Sequence, residues 1–183
     1  MLFVALVSRE KGAFDAVEGV ALANQKSAAS QSPLRFRLTL VGGFASDDEE
    51  EKLREFVEQR GLESTVEIAG FVSAERKRQA FMEADVFCFP TYYSAENQPA
   101  NLIEAMAFGL PIITTRWRSI PEMLPPDYPG LVDVQSPAQI AEALLRVPDS
   151  DLAVPLRDLF VRRFTLERHL ENMAAAIRSV EQD

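Results

Sequence analysis

Residues 84–115 read ADVFCFPTYYSAENQPANLIEAMAFGLPIITT, and this stretch decides the fold. The run Val86–Phe89 is wholly apolar until Pro90, which is typical of a strand buried on both faces of a sheet. The pattern predicts a helix from Leu102 to Phe108, closed by a glycine, and a second apolar strand from Ile112 to Thr114. A strand, a helix and a strand joined by short connections predict a parallel βαβ unit.

The same alternation continues on both sides of this stretch. Further strands are predicted at Leu2–Val7, Leu34–Val41, Val66–Ala69 and Leu131–Val132. Further helices are predicted at Ala13–Gln25, Asp47–Arg60, Ala74–Ala84, Ala138–Val147, Asp151–Phe164 and Leu166–Val180. The expected fold class is α/β: a doubly wound, mostly parallel sheet of about six strands, similar to a Rossmann fold, with extra helices at the C-terminal end.

Composition excludes several classes of protein. The 183 residues suggest one domain spanning residues 1–183, since domains average roughly 150 residues. The net charge of −9 disfavours binding to nucleic acid or to anionic lipid. One cysteine and one histidine exclude a disulfide framework, a zinc site built on several cysteines and a histidine-rich metal site. Cys88 lies in an apolar run and is interpreted as a core residue.

Nothing in the sequence predicts a membrane span. No apolar run reaches the roughly 18 residues that a transmembrane helix needs. The first residues, MLFVALVSREKG, place their charges after the apolar stretch, which is the reverse of a secretory signal. We therefore expect a cytoplasmic protein without a transmembrane segment.

Parallel sheets of this kind bind ligands beyond the carboxyl ends of their strands. The loops that reach this edge are Ser8–Gly12, Gly42–Ser46, Gly70–Ser73, Thr91–Asn101 and Thr115–Glu122. The sequence has neither the G-x-x-x-x-G-K-[ST] phosphate loop nor a G-x-G-x-x-G fingerprint after the first strand. Their absence argues against a P-loop nucleotide hydrolase and against a dehydrogenase of the usual dinucleotide-binding type.

An ordered set of segments carries a more specific signal. These are FVALVSREKG (3–12), LTLVGG (38–43), VEIAGFVS (66–73), ADVFCFPTYY (84–93), the pair Glu96 and Glu104, EAMAFGLPIITT (104–115) and IPEML (120–124). Together they resemble the carboxyl-terminal, donor-binding domain of retaining glycosyltransferases of the GT-B fold, in particular family 4, the glycosyl transferases group 1. The resemblance covers nearly the whole chain.

The resemblance implies transfer of a hexosyl group from a nucleoside diphosphate sugar to an acceptor that the sequence does not identify. It implies two catalytic residues, Lys11 and Glu96. The ammonium of Lys11 would stabilise the diphosphate leaving group, on which negative charge accumulates as the glycosidic bond breaks. Glu96 would face the donor sugar or its phosphate end. A turn lysine and a solvated loop glutamate are the structural alternatives.

The same resemblance implies the residues that bind the donor. Glu104 would accept hydrogen bonds from the ribose hydroxyls, although it could instead close a capping box led by Asn101. Phe71 and Val72 would line the nucleobase, or else pack at the end of the sheet. Main-chain groups at the start of a helix would bind the phosphates; these belong to Gln98, Pro99, Ala100, Asn101 and Leu102. No metal and no cofactor are implied.

Three departures from the family pattern concern the phosphate side of the site. Leu6 stands where the family usually carries an arginine that assists the lysine, and Arg9 is the candidate replacement within the same loop. Arg118 and Ser119 replace a common glycine pair, and Asn97 replaces the glycine after the first glutamate. A GT-B enzyme also has an amino-terminal, acceptor-binding domain, which this sequence lacks.

The missing domain implies that the isolated chain is inactive or nearly so, and that the exposed interdomain face could support a homodimer. Two other functions stay open at this point. One is a degenerate module that binds a nucleotide or a partner without catalysis. The other is a nucleotide-sugar epimerase or hydrolase of related fold.

Overall fold

A computed structural model describes residues 1–146 and 153–180 of the protein. Its strands are β1 (Leu2–Val4), β2 (Leu38–Val41), β3 (Val66–Gly70), β4 (Phe87–Phe89), β5 (Ile112–Thr115) and β6 (Leu131–Val132). They form one parallel sheet in the order β3-β2-β1-β4-β5-β6. The predicted doubly wound α/β sheet of about six strands is therefore confirmed.

Helices connect the strands and complete the described chain. They are α1 (Ala13–Ala29), α2 (Asp47–Gln59), α3 (Ala74–Glu83), α4 (Ala100–Ala107), α5 (Ile120–Met123), α6 (Pro137–Arg146), α7 (Ala153–Arg163) and α8 (Leu166–Val180). Serine side chains cap the N-termini of α2 and α3. The hydroxyl of Ser46 accepts from the amide of Glu49, and the hydroxyl of Ser73 accepts from the amide of Arg76. Each bond satisfies a backbone donor that the first turn of a helix leaves free.

The strand order reverses between β1 and β4. From β1 the chain adds β2 and β3 on one side, and then returns to place β4 on the other side of β1. The loops after β1 and β4 therefore diverge from adjacent strands and leave a crevice at the carboxyl edge of the sheet.

Large apolar side chains fill the space between the sheet and its helices. Phe3 and Phe89 lie fully buried on neighbouring strands, with ring centroids 5.9 Å apart. Phe81 of α3 stacks on Phe87 of β4 and on Phe108 at the end of α4, at 5.6 and 5.1 Å. Cys88 is fully buried, so its interpretation as a core residue is confirmed.

The prediction of a strand over Leu34–Val41 was wrong in its first half. The side chain of Asn24 donates to the carbonyl of Phe36 at 2.9 Å and accepts from its amide at 2.8 Å. The hydroxyl of Ser27 donates to the carbonyl of Leu34 at 2.8 Å. These bonds from α1 satisfy the backbone that a strand would use. α1 itself continues to Ala29, beyond its predicted end at Gln25.

Other boundaries also differ. β1 ends at Val4, although Val7 forms an isolated parallel bridge with Phe44. α4 begins at Ala100 and not at Leu102, and the short α5 overlaps the end of Thr115–Glu122, which was predicted as a loop. Its Pro121 fits there because the first turn of a helix needs no amide donor. The predicted helix ends at Val147 and Asp151 lie outside the described residues.

Within residues 1–146 and 153–180, no helix is both long and apolar enough to cross a membrane.

Candidate functional site

The loops after β1 and β4 are joined by hydrogen bonds at the switch point. The amide of Tyr92 donates to the carbonyl of Glu10 at 2.8 Å, and the hydroxyl of Thr91 donates to the same carbonyl at 3.3 Å. Thr91 is fully buried, so this connection lies at the base of the crevice. Residues 8–12 and 91–97, which are far apart in sequence, thus form the two walls of one site.

Gly12 allows this close approach. Its φ of 84° lies in the left-handed region, and a Cβ at this position would overlap the carbonyl oxygen of Pro90. Only glycine combines that backbone conformation with the absence of a side chain. Gly12 is also the N-cap of α1, so the same residue fixes the start of α1 against the end of β4.

Lys11 and Glu96 meet inside the crevice. The Nζ of Lys11 lies 2.8 Å from Oε2 of Glu96, and their side chains are 19% and 11% exposed. Lys11 Nζ also lies 4.2 Å from the centroid of the Tyr93 ring, which favours a cation over its face. The structure therefore brings the two predicted catalytic residues together. Their action on a ligand remains a prediction.

The loop that carries Glu96 is held from the next loop along the sheet. Trp117 Nε1 donates to the carbonyl of Tyr93 at 2.8 Å, and the hydroxyl of Ser119 donates to Oδ1 of Asn97 at 2.8 Å. Both bonds join neighbours of Glu96 to residues after β5. Sequence reasoning missed them, because no pattern in the sequence relates the side chains of two separate loops.

Arg118, which lies between these two residues, has a φ of 47°. This is the left-handed conformation that favours glycine. In the family pattern, a glycine pair often stands at the positions of Arg118 and Ser119. The backbone of Arg118 has the left-handed conformation that a glycine adopts readily.

The start of α4 differs in detail from the predicted phosphate-binding segment. Pro99 is the N-cap and has no amide hydrogen, so it cannot donate to a phosphate as predicted. The amide of Leu102 donates to the carbonyl of Pro99 at 3.2 Å and is already used. Ala100 and Asn101 are in the first turn, where amides have no partner within the helix, and Gln98 precedes the cap. Of the predicted phosphate-binding segment, the residues whose main-chain amides are still candidates to bind a phosphate are therefore Gln98, Ala100 and Asn101.

Asn101 ties the start of α4 to the end of β1. Its Nδ2 donates to the carbonyl of Val4 at 2.8 Å, and its buried Oδ1 has no hydrogen-bond partner among the described residues. Asn101 lies within the helix and its side chain caps nothing. The capping-box alternative for Glu104 is therefore wrong, since the side chain that would lead the box is directed to Val4.

Glu104 pairs with a residue that sequence reasoning did not single out. Its Oε1 lies 2.6 Å from Nζ of Lys77 on α3, and both side chains are more than a third exposed. The pair borders a cavity of about 200 Å³ that Phe81 and Phe108 also line. Thus Glu104 belongs to the surface between α3 and α4, and no contact in the described structure joins it to the pair of Lys11 and Glu96.

The remaining predicted residues occupy different surroundings. Phe71 is 90% exposed in the loop after β3, whereas Val72 is half-buried against the core. The Arg9 guanidinium carbon lies 3.8 Å from the centroid of the Phe14 ring, and its backbone amide donates to Glu49. Leu6 is 53% exposed after β1. Of these, Phe71 and Leu6 present large apolar side chains to solvent at the edge where ligands bind in such sheets.

Two titratable groups near the crevice have shifted pKa values. Partial burial raises the pKa of Asp15 in the first turn of α1, and the nearby Arg9 guanidinium partly offsets this rise. One oxygen of Asp15 is buried without a hydrogen-bond partner among the described residues. Complete burial raises the pKa of the Cys88 thiol, which makes it a poor nucleophile.

Comparison with known proteins gives one family match. The model of the family described as "Glycosyl transferases group 1" matches residues 1–163. The chain is 29% identical over 161 residues to the putative colanic acid biosynthesis glycosyltransferase WcaL of Escherichia coli, covering 84% of this chain and 37% of that protein. It is 29% identical over 159 residues to the amylovoran biosynthesis glycosyltransferase AmsK of Erwinia amylovora, again covering 84% and 37%. The chain therefore spans about a third of the length of these curated relatives.

Solved structures share the fold. The Anabaena protein HepE, in complex with UDP, superposes with a TM-score of 0.79 at 19% identity, over 97% of this chain and 48% of that one. A glycosyltransferase from Rickettsia africae gives a TM-score of 0.81 at 17% identity, over 100% and 48%. The C-terminal domain of a glycosyl transferase group 1 family protein (LpcC) from Francisella tularensis gives 0.72 at 20% identity, over 90% and 86%.

Proposed function

The chain belongs to the glycosyl transferases group 1 family, and from this premise we propose that it is the donor-binding domain of a retaining glycosyltransferase. The donor is a nucleoside diphosphate sugar, from which the complete enzyme transfers a hexosyl group to an acceptor. The observation that carries the proposal is the ion pair of Lys11 and Glu96 at 2.8 Å, in the crevice where the strand order reverses. Ligands of doubly wound sheets bind at this place.

Lys11 binds the diphosphate and stabilises it as a leaving group. An ammonium has three donors, and Glu96 takes one of them in the ligand-free site. When the bond between the anomeric carbon and the diphosphate oxygen breaks, negative charge accumulates on that oxygen. A fixed ammonium in a half-buried crevice stabilises this charge more than one in bulk water would.

Glu96 contacts the donor sugar or the phosphate end of the donor. A carboxylate has about four acceptor positions, so Glu96 can keep Lys11 in place and accept hydrogen bonds from sugar hydroxyls. The loop carrying it is anchored through Tyr93 and Asn97, which supports a fixed position for its carboxylate. Such fixed groups hold the anomeric carbon in a reactive orientation.

The rest of the donor extends from the crevice over α4. The amides of Gln98, Ala100 and Asn101 bind phosphate oxygens, with help from the positive end of the helix dipole. Glu104 accepts hydrogen bonds from the ribose. Its carboxylate then either contacts the ribose and Lys77 together or gives up the contact with Lys77. Phe71 and Val72 line the nucleobase, and Arg9 assists with the phosphates after leaving the Phe14 ring.

The complete enzyme, under this proposal, needs no metal, because the cation and the helix start neutralise the diphosphate. This domain contributes donor binding, while an amino-terminal domain supplies the acceptor site, so the isolated chain turns over little or no donor. The face that would meet that domain supports a homodimer when it is uncovered. We place the protein in the cytoplasm, a reducing compartment compatible with the free thiol of Cys88.

One observation favours a second candidate, a degenerate module that keeps the fold without catalysis. Leu6 offers an exposed apolar side chain where the family pattern carries an arginine. The missing guanidinium would weaken donor binding by roughly ten- to a hundredfold, the equivalent of one charged hydrogen bond. The relatives named above are glycosyltransferases, which gives no support to an epimerase or a hydrolase.

Calorimetric titration of the chain with UDP, GDP and ADP tests the proposal. UDP is the first nucleotide to test, because the structural neighbour HepE was solved in complex with UDP. We expect binding that Lys11→Met weakens by at least about tenfold. The matched control is Lys26→Met, which removes an exposed lysine of α1 paired with Glu142 and leaves the crevice intact. Binding equal in the two variants contradicts the proposal.

Two further outcomes separate the alternatives. If no nucleotide binds at millimolar concentration, the degenerate module is the better account. If the chain converts a nucleotide sugar in the absence of any acceptor, an epimerase or hydrolase is the better account.

A further inference from the structure

The ammonium of Lys11 lies between a carboxylate and two aromatic rings. Its Nζ is 2.8 Å from Oε2 of Glu96, 4.2 Å from the centroid of the Tyr93 ring and 5.9 Å from that of the Phe89 ring. Phe89 is fully buried, whereas Tyr93 is 36% exposed at the mouth of the crevice. The proposed function assigns a role to Glu96 and leaves the ring of Tyr93 without one.

The backbone of Tyr93 is fixed through both of its hydrogen-bonding groups. Its amide donates to Oγ1 of Thr91 at 3.2 Å. Its carbonyl accepts from Nε1 of Trp117 at 2.8 Å and from the amide of Glu96 at 3.0 Å. Thr91 is fully buried, so the first of these bonds ties Tyr93 to the base of the crevice. The ring therefore projects from a restrained backbone towards Lys11.

A ring face and a carboxylate hold an ammonium in different ways. A carboxylate accepts a hydrogen bond and cancels the positive charge. A ring is neutral, attracts the cation through its quadrupole and leaves that charge uncancelled. The attraction is stronger where the cation is partly removed from water, and the side chain of Lys11 is only 19% exposed. The ring of Tyr93 can thus restrict the position of the ammonium without weakening its attraction for an anion.

We propose that Tyr93 is a positioning residue, whose ring holds the ammonium of Lys11 at the place where a diphosphate binds. The ring keeps Lys11 in the crevice when the carboxylate of Glu96 turns towards the donor sugar. Trp117 acts one step further away, because its indole fixes the backbone of Tyr93. The effect of the ring on diphosphate binding rests on the proposed function, whereas its effect on the lysine is a property of the ligand-free protein.

A ring at the mouth of a crevice could also touch a ligand directly. The two roles differ in their dependence on Lys11. A ring that acts through the lysine contributes to binding only while the lysine is present. A ring that touches the ligand contributes equally when the lysine has been removed. A double-mutant cycle between Tyr93 and Lys11 therefore separates the two roles.

NMR of the ligand-free chain, labelled with ¹³C at the lysine Cε atoms, tests the contact itself. The chain has four lysines, so four signals are expected, and Lys11→Met identifies that of Lys11. The ring current of Tyr93 moves the Lys11 protons upfield. We therefore expect Tyr93→Leu to move this signal downfield and Tyr93→Phe, which keeps the ring, to leave it in place. A Lys11 signal that does not move in Tyr93→Leu overturns the proposal.

Two controls accompany this measurement. Phe108→Leu removes a ring that is 39% exposed, close to the 36% of Tyr93, and that stacks on Phe81 away from the crevice. It should leave the Lys11 signal in place. The signals of Lys26 and Lys52 should stay unchanged in Tyr93→Leu, which shows that the fold is kept. Tyr93→Gln also removes the ring and replaces Tyr93→Leu if that variant does not fold.

Titration calorimetry with UDP tests the effect on binding. Tyr93→Leu should weaken binding by about three- to tenfold, and Tyr93→Phe by less than about twofold. Added to Lys11→Met, Tyr93→Leu should cause little further loss. Equal losses with and without the lysine overturn the proposal. If the wild type binds no UDP, the proposed function fails and this role fails with it. If the wild type and Tyr93→Leu bind UDP equally well, only the role of Tyr93 fails.

Discussion

Lys11 and Glu96 are 85 residues apart in sequence and their charged atoms lie 2.8 Å apart in the crevice. Because both side chains are mostly buried, water screens this pair less than it screens the ion pairs of the surface helices. Each group keeps hydrogen-bonding positions that the ion pair does not use. An anion can therefore bind beside Lys11 while Glu96 still contacts the lysine. At the scale of single residues, the proposed function makes this pair and the exposed Leu6 the main determinants of diphosphate affinity.

We predict that Leu6→Arg strengthens nucleoside diphosphate binding by roughly ten- to a hundredfold, since it adds a charged hydrogen-bond donor beside the crevice. Leu6 is exposed after β1, so an arginine can be accommodated without repacking the core. Leu6→Gln is the control of similar length without charge, and it should change the affinity much less. Titration calorimetry with UDP measures both, and unchanged affinity in the arginine variant would show that the loop is used differently.

Asp15 should make stability depend on pH. Its ordinary pKa of 3.8 is raised in the folded protein by burial. As the pH rises above about 4, the unfolded chain loses the proton first, so wild-type stability falls until the folded group has also ionised. Asp15→Asn does not titrate and should therefore gain on the wild type as the pH rises from about 4. Urea unfolding at several pH values measures this difference, and a difference that stays constant or shrinks contradicts the raised pKa.

The contact between α1 and β4 is the element-scale feature on which the crevice depends. Gly12→Ala should destabilise the protein by about 2–4 kcal/mol, because it combines a left-handed backbone with a clash against Pro90. Gly61→Ala is the matched control: its φ is 63°, but nothing lies within 4 Å of an added Cβ. It should cost about 1 kcal/mol from backbone strain alone. Similar losses of stability in the two variants would remove the close approach as the reason for Gly12.

Much of the fold could be predicted from apolar runs and helical spacing. All six strands were found, because each is a short and mostly apolar segment. The prediction failed between Lys26 and Arg37, because the side chains of Asn24 and Ser27 satisfy the backbone of Phe36 and Leu34. Such long-range bonds leave no periodic signal. α5 was missed because a single turn is too short to show helical spacing.

The site was predictable in part. Lys11 and Glu96 follow from the resemblance together with the rule that ligands bind where the strand order reverses, and the structure places them side by side. Lys77, Trp117 and Ser119 were not predictable, since each acts through a partner on another element. The phosphate-binding segment was drawn too widely because Pro99 was counted among residues with an amide donor.

At the scale of the whole molecule, the charge is unevenly distributed. An acidic chain, with a net charge of −9, holds the cation of Lys11 in the crevice at the carboxyl edge of its sheet. The chain also corresponds to about a third of the length of its curated relatives. The proposed function therefore assigns donor binding to the crevice and assigns no acceptor site to the described residues.

The most direct test of the central claim is a crystal structure of the chain soaked with UDP. We predict that the diphosphate lies in the crevice after β1 and β4, with a phosphate oxygen within hydrogen-bonding distance of Lys11 Nζ. The first amides of α4 should point towards it, and Glu96 should stay next to the lysine. A diphosphate bound elsewhere on the molecule, with the crevice empty and the pair of Lys11 and Glu96 unchanged, would contradict the account.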